Sequence, residues 1–139
     1  MSDKPDGQGL TADLVPREAW AAVESDDKTI GLDHNVIASE GSTFATYTVP
    51  AGKTFYATEI AFSIHAPAGG TKNIPKIGVM FLASPTINQY IIGLGGNGGG
   101  SLVFVTPVPI AAGVQLWVII ENWSEANAEV SAHVRGYEV

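Results

Sequence analysis

The chain has 139 residues, a length that suits one domain with a sizeable hydrophobic core. It contains no cysteine, which excludes disulfides, thiolate nucleophiles and zinc–thiolate sites. Its formal net charge of -7 argues against nucleic-acid binding, because phosphate contacts need clustered lysine and arginine.

The charge is distributed unevenly along the chain. Residues 1–40 carry nine acids and three bases, a net charge of -6, whereas residues 41–139 carry five acids and four bases, a net charge of -1. The second part is therefore far less charged than the roughly 25% of a typical soluble domain. Such neutrality indicates either a monomer with a surface of Ser, Thr and Asn or a surface that is buried against partner proteins.

Residues 1–40 are predicted to form an N-terminal arm and linker. Residues 1–14 are polar and lack periodicity, and residues 16–24, with Pro16 in the first turn, predict a short helix. A short strand is expected near residues 35–38. The start of the chain lacks the apolar stretch of a secretory signal peptide, and no apolar run approaches the roughly 20 residues of a transmembrane segment. We expect a protein made and used without export or membrane insertion.

From residue 44 onward the chain alternates apolar and polar residues, with turns that contain Gly and Pro. In the second strand the alternation predicts that Tyr56, Thr58, Ile60, Phe62 and Ile64 face the core. The glycine-rich residues 95–100 predict a flexible connection, such as the tip of a hairpin. The predicted strands cover residues 44–49, 54–66, 76–83, 88–94, 101–108, 114–123 and 129–139. Seven or eight short strands predict an all-β domain over residues 41–139, a β-sandwich of jelly-roll type.

The strand at 114–123 is apolar on both faces. Val114, Leu116, Val118 and Ile120 suit the core, which places Trp117, Ile119 and Trp123 on the opposite face. Burial of each of these side chains would contribute roughly 1.5–3 kcal/mol to stability, and this contribution is absent when the side chain stays in water. The pattern indicates a subunit interface or ligand platform, or else a face covered by another part of the same chain.

No motif for catalysis or cofactor binding is complete. Gly-Lys-Thr at 52–54 lacks the glycine that a phosphate-binding loop needs at position 47, and Gly-x-Gly-x-x-Gly at 93–98 is not followed by a helix. His34, His65 and His133 have no second histidine or carboxylate at metal-ligand spacing, and no Gly-x-Ser-x-Gly sequence is present. We therefore expect no enzyme activity, catalytic residue, cofactor or metal.

The strand region resembles small jelly-roll structural proteins of tailed phages, such as capsid decoration and virion-surface proteins. The resemblance rests on Tyr-Thr-Val-Pro-Ala-Gly-Lys-Thr at 47–54, Val-Pro-x-x-x-Gly-x-x-Leu at 108–116, and the chain end at 130–134 and 136–138. It implies a homotrimer or similar ring on a capsid lattice, made in the host cytoplasm and located in the virion. It also implies N-terminal arms that reach neighbouring subunits.

Two functions are compatible with these observations. The first is a non-enzymatic virion protein that oligomerises and packs against the major capsid protein or another virion protein. Trp117, Ile119 and Trp123 are its expected interface residues, together with Val15 and Trp20 of the arm. The alternative is a carbohydrate- or receptor-binding module, in which Trp117 and Trp123 stack on sugar rings while Glu121 and Asn122 bind hydroxyls.

Overall fold

The computed structural model describes residues 27–70, 72–87 and 89–139. Strands are the only regular elements in these residues, and none of the described parts forms a helix that is long and apolar enough to cross a membrane. The strands are β1 (Asp27–Ile37), β2 (Ser42–Thr48), β3 (Phe55–His65), β4 (Ile77–Ser84), β5 (Gln89–Asn97), β6 (Gly99–Ile110), β7 (Gln115–Asn122) and β8 (Ala128–Glu138). The predicted helix at 16–24 and most of the predicted arm lie outside the described residues.

The eight strands form two antiparallel four-stranded sheets. Sheet A has the order β1-β8-β3-β6, and sheet B has the order β2-β7-β4-β5. The first strand pairs with the last, the second with the seventh, the third with the sixth and the fourth with the fifth. This is one long hairpin rolled into a sandwich, the topology of a jelly roll. The predicted fold class is confirmed.

Alternating side chains from both sheets fill the space between them. In β7, for example, Leu116, Val118 and Ile120 are fully buried, while their neighbours in sequence are not. The core is made of apolar residues of the two inner faces, as expected for a sandwich. Its fully buried large members are Phe55, Ile60, Ile64, Met80, Leu82, Leu116, Ile120, Val49, Val118, Val130 and Val134.

A bulge in β3 changes which of its side chains face the core. The register shifts between Ala57 and Glu59, so Thr58 is an extra residue against β8. Ile60, Phe62 and Ile64 point inward as predicted, but Phe55 and Ala57 replace Tyr56 and Thr58 in the core. Tyr56 instead stacks on Tyr137 at the outer face, with ring centroids 5.2 Å apart.

The sandwich begins earlier than the predicted boundary at residue 41. Residues 27–37 form an eleven-residue edge strand, where only a short strand near 35–38 was expected. Ile30 and Ile37 both reach the core although an odd spacing separates them. The register shifts between Leu32 and Asn35, where His34 has a φ of 54°. This bulge reverses the alternation, so residues on either side of it can face the core at an odd spacing. This irregularity conceals the strand from a period-two search.

The glycine-rich residues 95–100 are not a flexible connection. They end β5 and begin β6, so the chain crosses there from sheet B to sheet A. A Cβ atom at Gly96 would lie 2.7 Å from the carbonyl oxygen of Gly99, and one at Gly99 would lie 2.5 Å from that of Phe62. Glycine is required because the backbones approach each other closely at this corner.

Candidate functional site

The outer face of sheet B carries the β7 residues that the sequence pattern predicts to face away from the core. Trp117 and Ile119 alternate with fully buried residues and point away from the core, as predicted. Neighbouring strands add further large side chains in register with them. We call this surface the aromatic face and define it by Phe44, Val79, Phe81, Tyr90, Trp117 and Ile119.

Side chains of the aromatic face adjoin one another across the strands. In one row Phe44 is opposite Ile119, which is opposite Phe81. The Phe44 ring also stacks on Trp117, with centroids 5.0 Å apart, and Phe81 contacts Tyr90 at 5.2 Å. Aromatic pairs of this geometry add about 0.5–1.5 kcal/mol each beyond area burial. The face is therefore an ordered surface rather than a set of scattered apolar residues.

Several of these side chains remain in water. Phe44 is 54% exposed and Tyr90 is 71% exposed, while Trp123, just beyond the end of β7, is 62% exposed. Exposed aromatic residues that adjoin one another are characteristic of binding surfaces, whereas isolated exposed apolar residues need no explanation.

Trp117 also has an unsatisfied polar group. Its indole Nε1–H is buried and has no hydrogen-bond acceptor among the described residues. A buried donor without a partner costs about 1–3 kcal/mol. The aromatic face therefore contains a buried hydrogen-bond donor without a partner, at Trp117.

A cleft of about 410 Å³ lies beside the aromatic face, where β7 ends and the loop between β1 and β2 passes. Trp123 forms part of its wall, and its Nε1–H donates to Glu121 Oε1 at 2.8 Å. This bond holds an exposed aromatic ring next to a carboxylate. The residues that line the cleft are Glu40, Gly41, Ser42, Glu121, Asn122 and Trp123.

Asn122 supports the cleft but does not present its amide to it. The residue is fully buried, and its Nδ2 donates to the carbonyl oxygens of Ile37, Ala38 and Ala126 at 3.3, 3.1 and 2.9 Å. Its Oδ1 accepts the backbone N–H of Ser124 at 2.9 Å. The amide joins the ends of β1 and β7 to the loop before β8, so the expectation that it binds sugar hydroxyls does not fit the structure.

The three histidines have acidic partners that sequence spacing did not reveal. His34 Nδ1 lies 2.7 Å from Glu129 Oε2, and His65 Nε2 lies 3.6 Å from the same oxygen. His133 Nε2 lies 2.8 Å from Asp33 Oδ1. These pairs span sheet A, on the opposite side of the molecule from the aromatic face. Within residues 27–70, 72–87 and 89–139, no group of three or more His, Asp or Glu has the geometry to hold a metal ion.

One ionisable pair joins the two sheets near the end of the chain. The Tyr47 hydroxyl donates to Glu138 Oε2, and Glu138 is almost completely buried. Burial, the hydrogen bond and the charge of Glu138 together raise the pKa of Tyr47 to about 12. The pair ties β2 to β8 and lies away from the cleft, so we assign it a structural role.

The predicted interface residues thus fall into two groups. Trp117, Ile119 and Trp123 lie on the same strand and its extension, on the outer side of sheet B. Val15 and Trp20 lie outside the described residues. The sequence alone does not single out Phe44, Phe81 and Tyr90, because they join the aromatic face only through the pairing of neighbouring strands.

Comparison with known proteins gives no family. No model of a known protein family matches the chain, and no curated protein matches it. Among solved structures, the mitogen derived from Yersinia pseudotuberculosis is similar over 73% of this chain and 85% of its own, with 12% sequence identity and a TM-score of 0.31. A likeness at that TM-score supports no statement about function.

Proposed function

We propose that this chain is a non-enzymatic structural protein that acts by packing the aromatic face of sheet B against another protein subunit. The observation that carries the proposal is the set of adjoining aromatic and aliphatic side chains on that face. Phe44 and Tyr90 are largely exposed there, and the buried indole N–H of Trp117 lacks an acceptor among the described residues. Trp and Tyr dominate the energetics of protein interfaces because each buries a large area at little conformational cost.

The finer form of the proposal follows from the sequence resemblance. We take the chain to be a capsid decoration protein or minor virion protein of a tailed phage, which forms a homotrimer and packs against the major capsid protein or another virion protein. In this form Trp117, Ile119 and Trp123 are interface anchors, and Val15 and Trp20 of the arm contact a neighbouring subunit. The low charge of residues 41–139 supports extensive burial against partners.

Carbohydrate binding is the second candidate, favoured by the exposed ring of Trp123 beside Glu121. It is less well supported, because the Asn122 amide is already committed to four hydrogen bonds. We expect that a panel of sugars leaves the tryptophan fluorescence of the full-length chain unchanged. A saturable change with any sugar would favour this candidate over protein packing.

The experiment that tests protein packing is the solution mass of the full-length chain, measured by light scattering. We expect a discrete oligomer that dissociates at higher concentration in the double variant Trp117→Ala, Ile119→Ala. Removing two anchors costs about 2 kcal/mol or more per interface, a roughly 30-fold weaker association. The matched control is Val103→Ala, Val105→Ala, which removes two exposed apolar side chains from β6 of sheet A.

A second variant guards against loss of folding. Phe44→Ser changes a residue that is already 54% exposed, so the sandwich should tolerate it while the aromatic face loses an anchor. Circular dichroism of each variant confirms that the strands are retained. A full-length chain that is monomeric, or an oligomer whose mass is the same in both face variants and in the control, contradicts the proposal.

A further inference from the structure

The cleft beside the aromatic face has hydrogen-bond acceptors to offer but few donors. Three of the backbone N–H groups around it are engaged within the protein: Gly41 N donates to Ala38 O at 2.9 Å, Asn122 N to Gly41 O at 2.8 Å, and Trp123 N to Ile77 O at 2.9 Å. The amide of Asn122 and the indole of Trp123 are also engaged. What remains toward the cleft is the hydroxyl of Ser42 and the carboxylates of Glu40 and Glu121.

The charge of the cleft also favours a ligand that donates hydrogen bonds. Two of its six lining residues are acidic, and none of the six is a lysine or an arginine. Glu121 uses Oε1 to accept from Trp123, which leaves Oε2 for a ligand. A group that fits must therefore donate hydrogen bonds, carry a positive charge and lie against an aromatic ring.

We propose that this cleft binds a guanidinium group, supplied by an arginine of the protein that packs against the aromatic face. A guanidinium is planar, so it stacks on the ring of Trp123 and directs its N–H groups to the Glu121 carboxylate at the same time. An ammonium makes the charge contact but cannot stack in this way. A neutral sugar needs several donors as well as acceptors, and among the side chains that line the cleft only the Ser42 hydroxyl remains as a donor.

The position of the cleft connects it with the proposed interface. Glu121 follows Ile119 on the outward side of β7 and lies opposite Val79 of the aromatic face. A partner that covers Ile119 and Val79 brings its adjacent residues to the cleft. The source of the arginine therefore rests on the proposed function, while binding of the guanidinium itself rests on the cleft alone.

The local backbone is built to hold this geometry. Asn122 fixes the carbonyl groups of Ile37 and Ala38, and Ser39 Oγ donates to Ser124 O at 2.7 Å. Glu40 has a φ of 61°, a conformation uncommon for residues other than glycine. The loop between β1 and β2 is therefore tied to the end of β7, which positions Glu40 near Trp123 before any ligand binds.

The test is a titration of the full-length, nitrogen-15-labelled chain with N-acetyl-arginine amide, followed through the indole N–H signals. N-acetyl-citrulline amide is the neutral probe of the same shape, and N-acetyl-lysine amide is the charged probe without a planar group. Trp123→Phe assigns the signal. We expect the Trp123 signal to shift saturably with the arginine probe, less with the lysine probe and not with the citrulline probe, and added salt to weaken the binding.

Glu121→Gln keeps the oxygen that accepts from Trp123, removes the charge and puts an NH₂ donor in place of Oε2, so we expect roughly tenfold weaker arginine binding. The matched control is Glu125→Gln, which neutralises an exposed carboxylate outside the cleft. The titration is repeated in Phe44→Ser, so that self-association through the aromatic face does not occupy the cleft. Equal shifts with arginine and citrulline, or equal weakening by the two Gln variants, overturn the proposal.

The two proposals fail separately. If the face variants dissociate the oligomer but the arginine probe binds no better than citrulline, the aromatic face is an interface and the cleft is not a guanidinium site. If the arginine probe binds with the expected dependence on Glu121 while the face variants leave the mass unchanged, the cleft binds guanidinium and the packing function is wrong.

Discussion

Replacing Asn122 by alanine tests whether one buried side chain holds the cleft together. The change removes the amide that donates to three carbonyl oxygens and accepts from Ser124 N. An NH₂ group has only two hydrogens, so the three contacts of Nδ2 count as two full hydrogen bonds. With the bond that Oδ1 accepts, the side chain makes about three full hydrogen bonds. At a net value of about 1 kcal/mol each, and with buried carbonyls left unpaired, the expected loss is about 3–4 kcal/mol.

That loss is large beside the roughly 5–15 kcal/mol that stabilises a typical domain. In urea denaturation followed by circular dichroism, it should lower the unfolding midpoint by roughly 2 M, given a typical slope for a domain of this size. The control is Asn127→Ala, five residues from Asn122 along the chain and exposed, which should leave the midpoint almost unchanged.

Asn122→Asp sharpens the test, because it keeps the shape of the side chain. It replaces a donor that faces three carbonyl oxygens with a buried negative charge, so its loss of stability at neutral pH should be at least as large as that of alanine. A loss below about 1 kcal/mol in either variant would refute the argument that the amide joins β1, β7 and the loop before β8.

Two further predictions concern the sandwich itself. The fold raises the pKa of Tyr47 from its ordinary value of 10.0 to about 12. The stabilising contribution of this residue is therefore complete below pH 10 and is lost as the pH rises through about 12. Tyr47→Phe should flatten the fall in the urea midpoint over that pH range, and an unchanged fall would contradict the assignment. Gly136→Ala places a Cβ atom in steric overlap with Tyr56 O and 2.8 Å from Phe55 Cζ, which should cost about 2–3 kcal/mol in urea denaturation. Gly95→Ala is the control, since its nearest contact of 3.4 Å is ordinary; equal losses would show that the close approach at Gly136 is relieved cheaply.

The fold class was predictable because its signals are local. Side chains alternate along any strand, and Gly and Pro mark where strands end, so 101–108, 114–123 and 129–139 were assigned from the sequence and lie within or close to observed strands. The two-sided apolar character of β7 was equally local, and it identified Trp117 and Ile119 as facing away from the core.

Bulges were not predictable, because the extra residue shifts the phase of the alternation, and the position of that shift depends on the pairing with the adjacent strand. For this reason the sequence pattern wrongly predicts Tyr56 in the core, and it predicts only a short strand near 35–38 where β1 runs from residue 27 to residue 37. The high glycine content of residues 95–100 predicts a flexible segment. Only the crossing from one sheet to the other shows that they permit close backbone contact.

The sequence by itself therefore determined the strands after residue 41 to within a few residues and the outward direction of Trp117, since each depends on a few neighbouring residues. Tertiary structure decided which strands pair, and with that the composition of the aromatic face and the cleft. Asn122 meets Ile37 and Ala38 across 85 and 84 residues of chain, and His34 meets Glu129 across 95. Contacts over such separations follow from the strand order of the rolled hairpin, which no local pattern encodes.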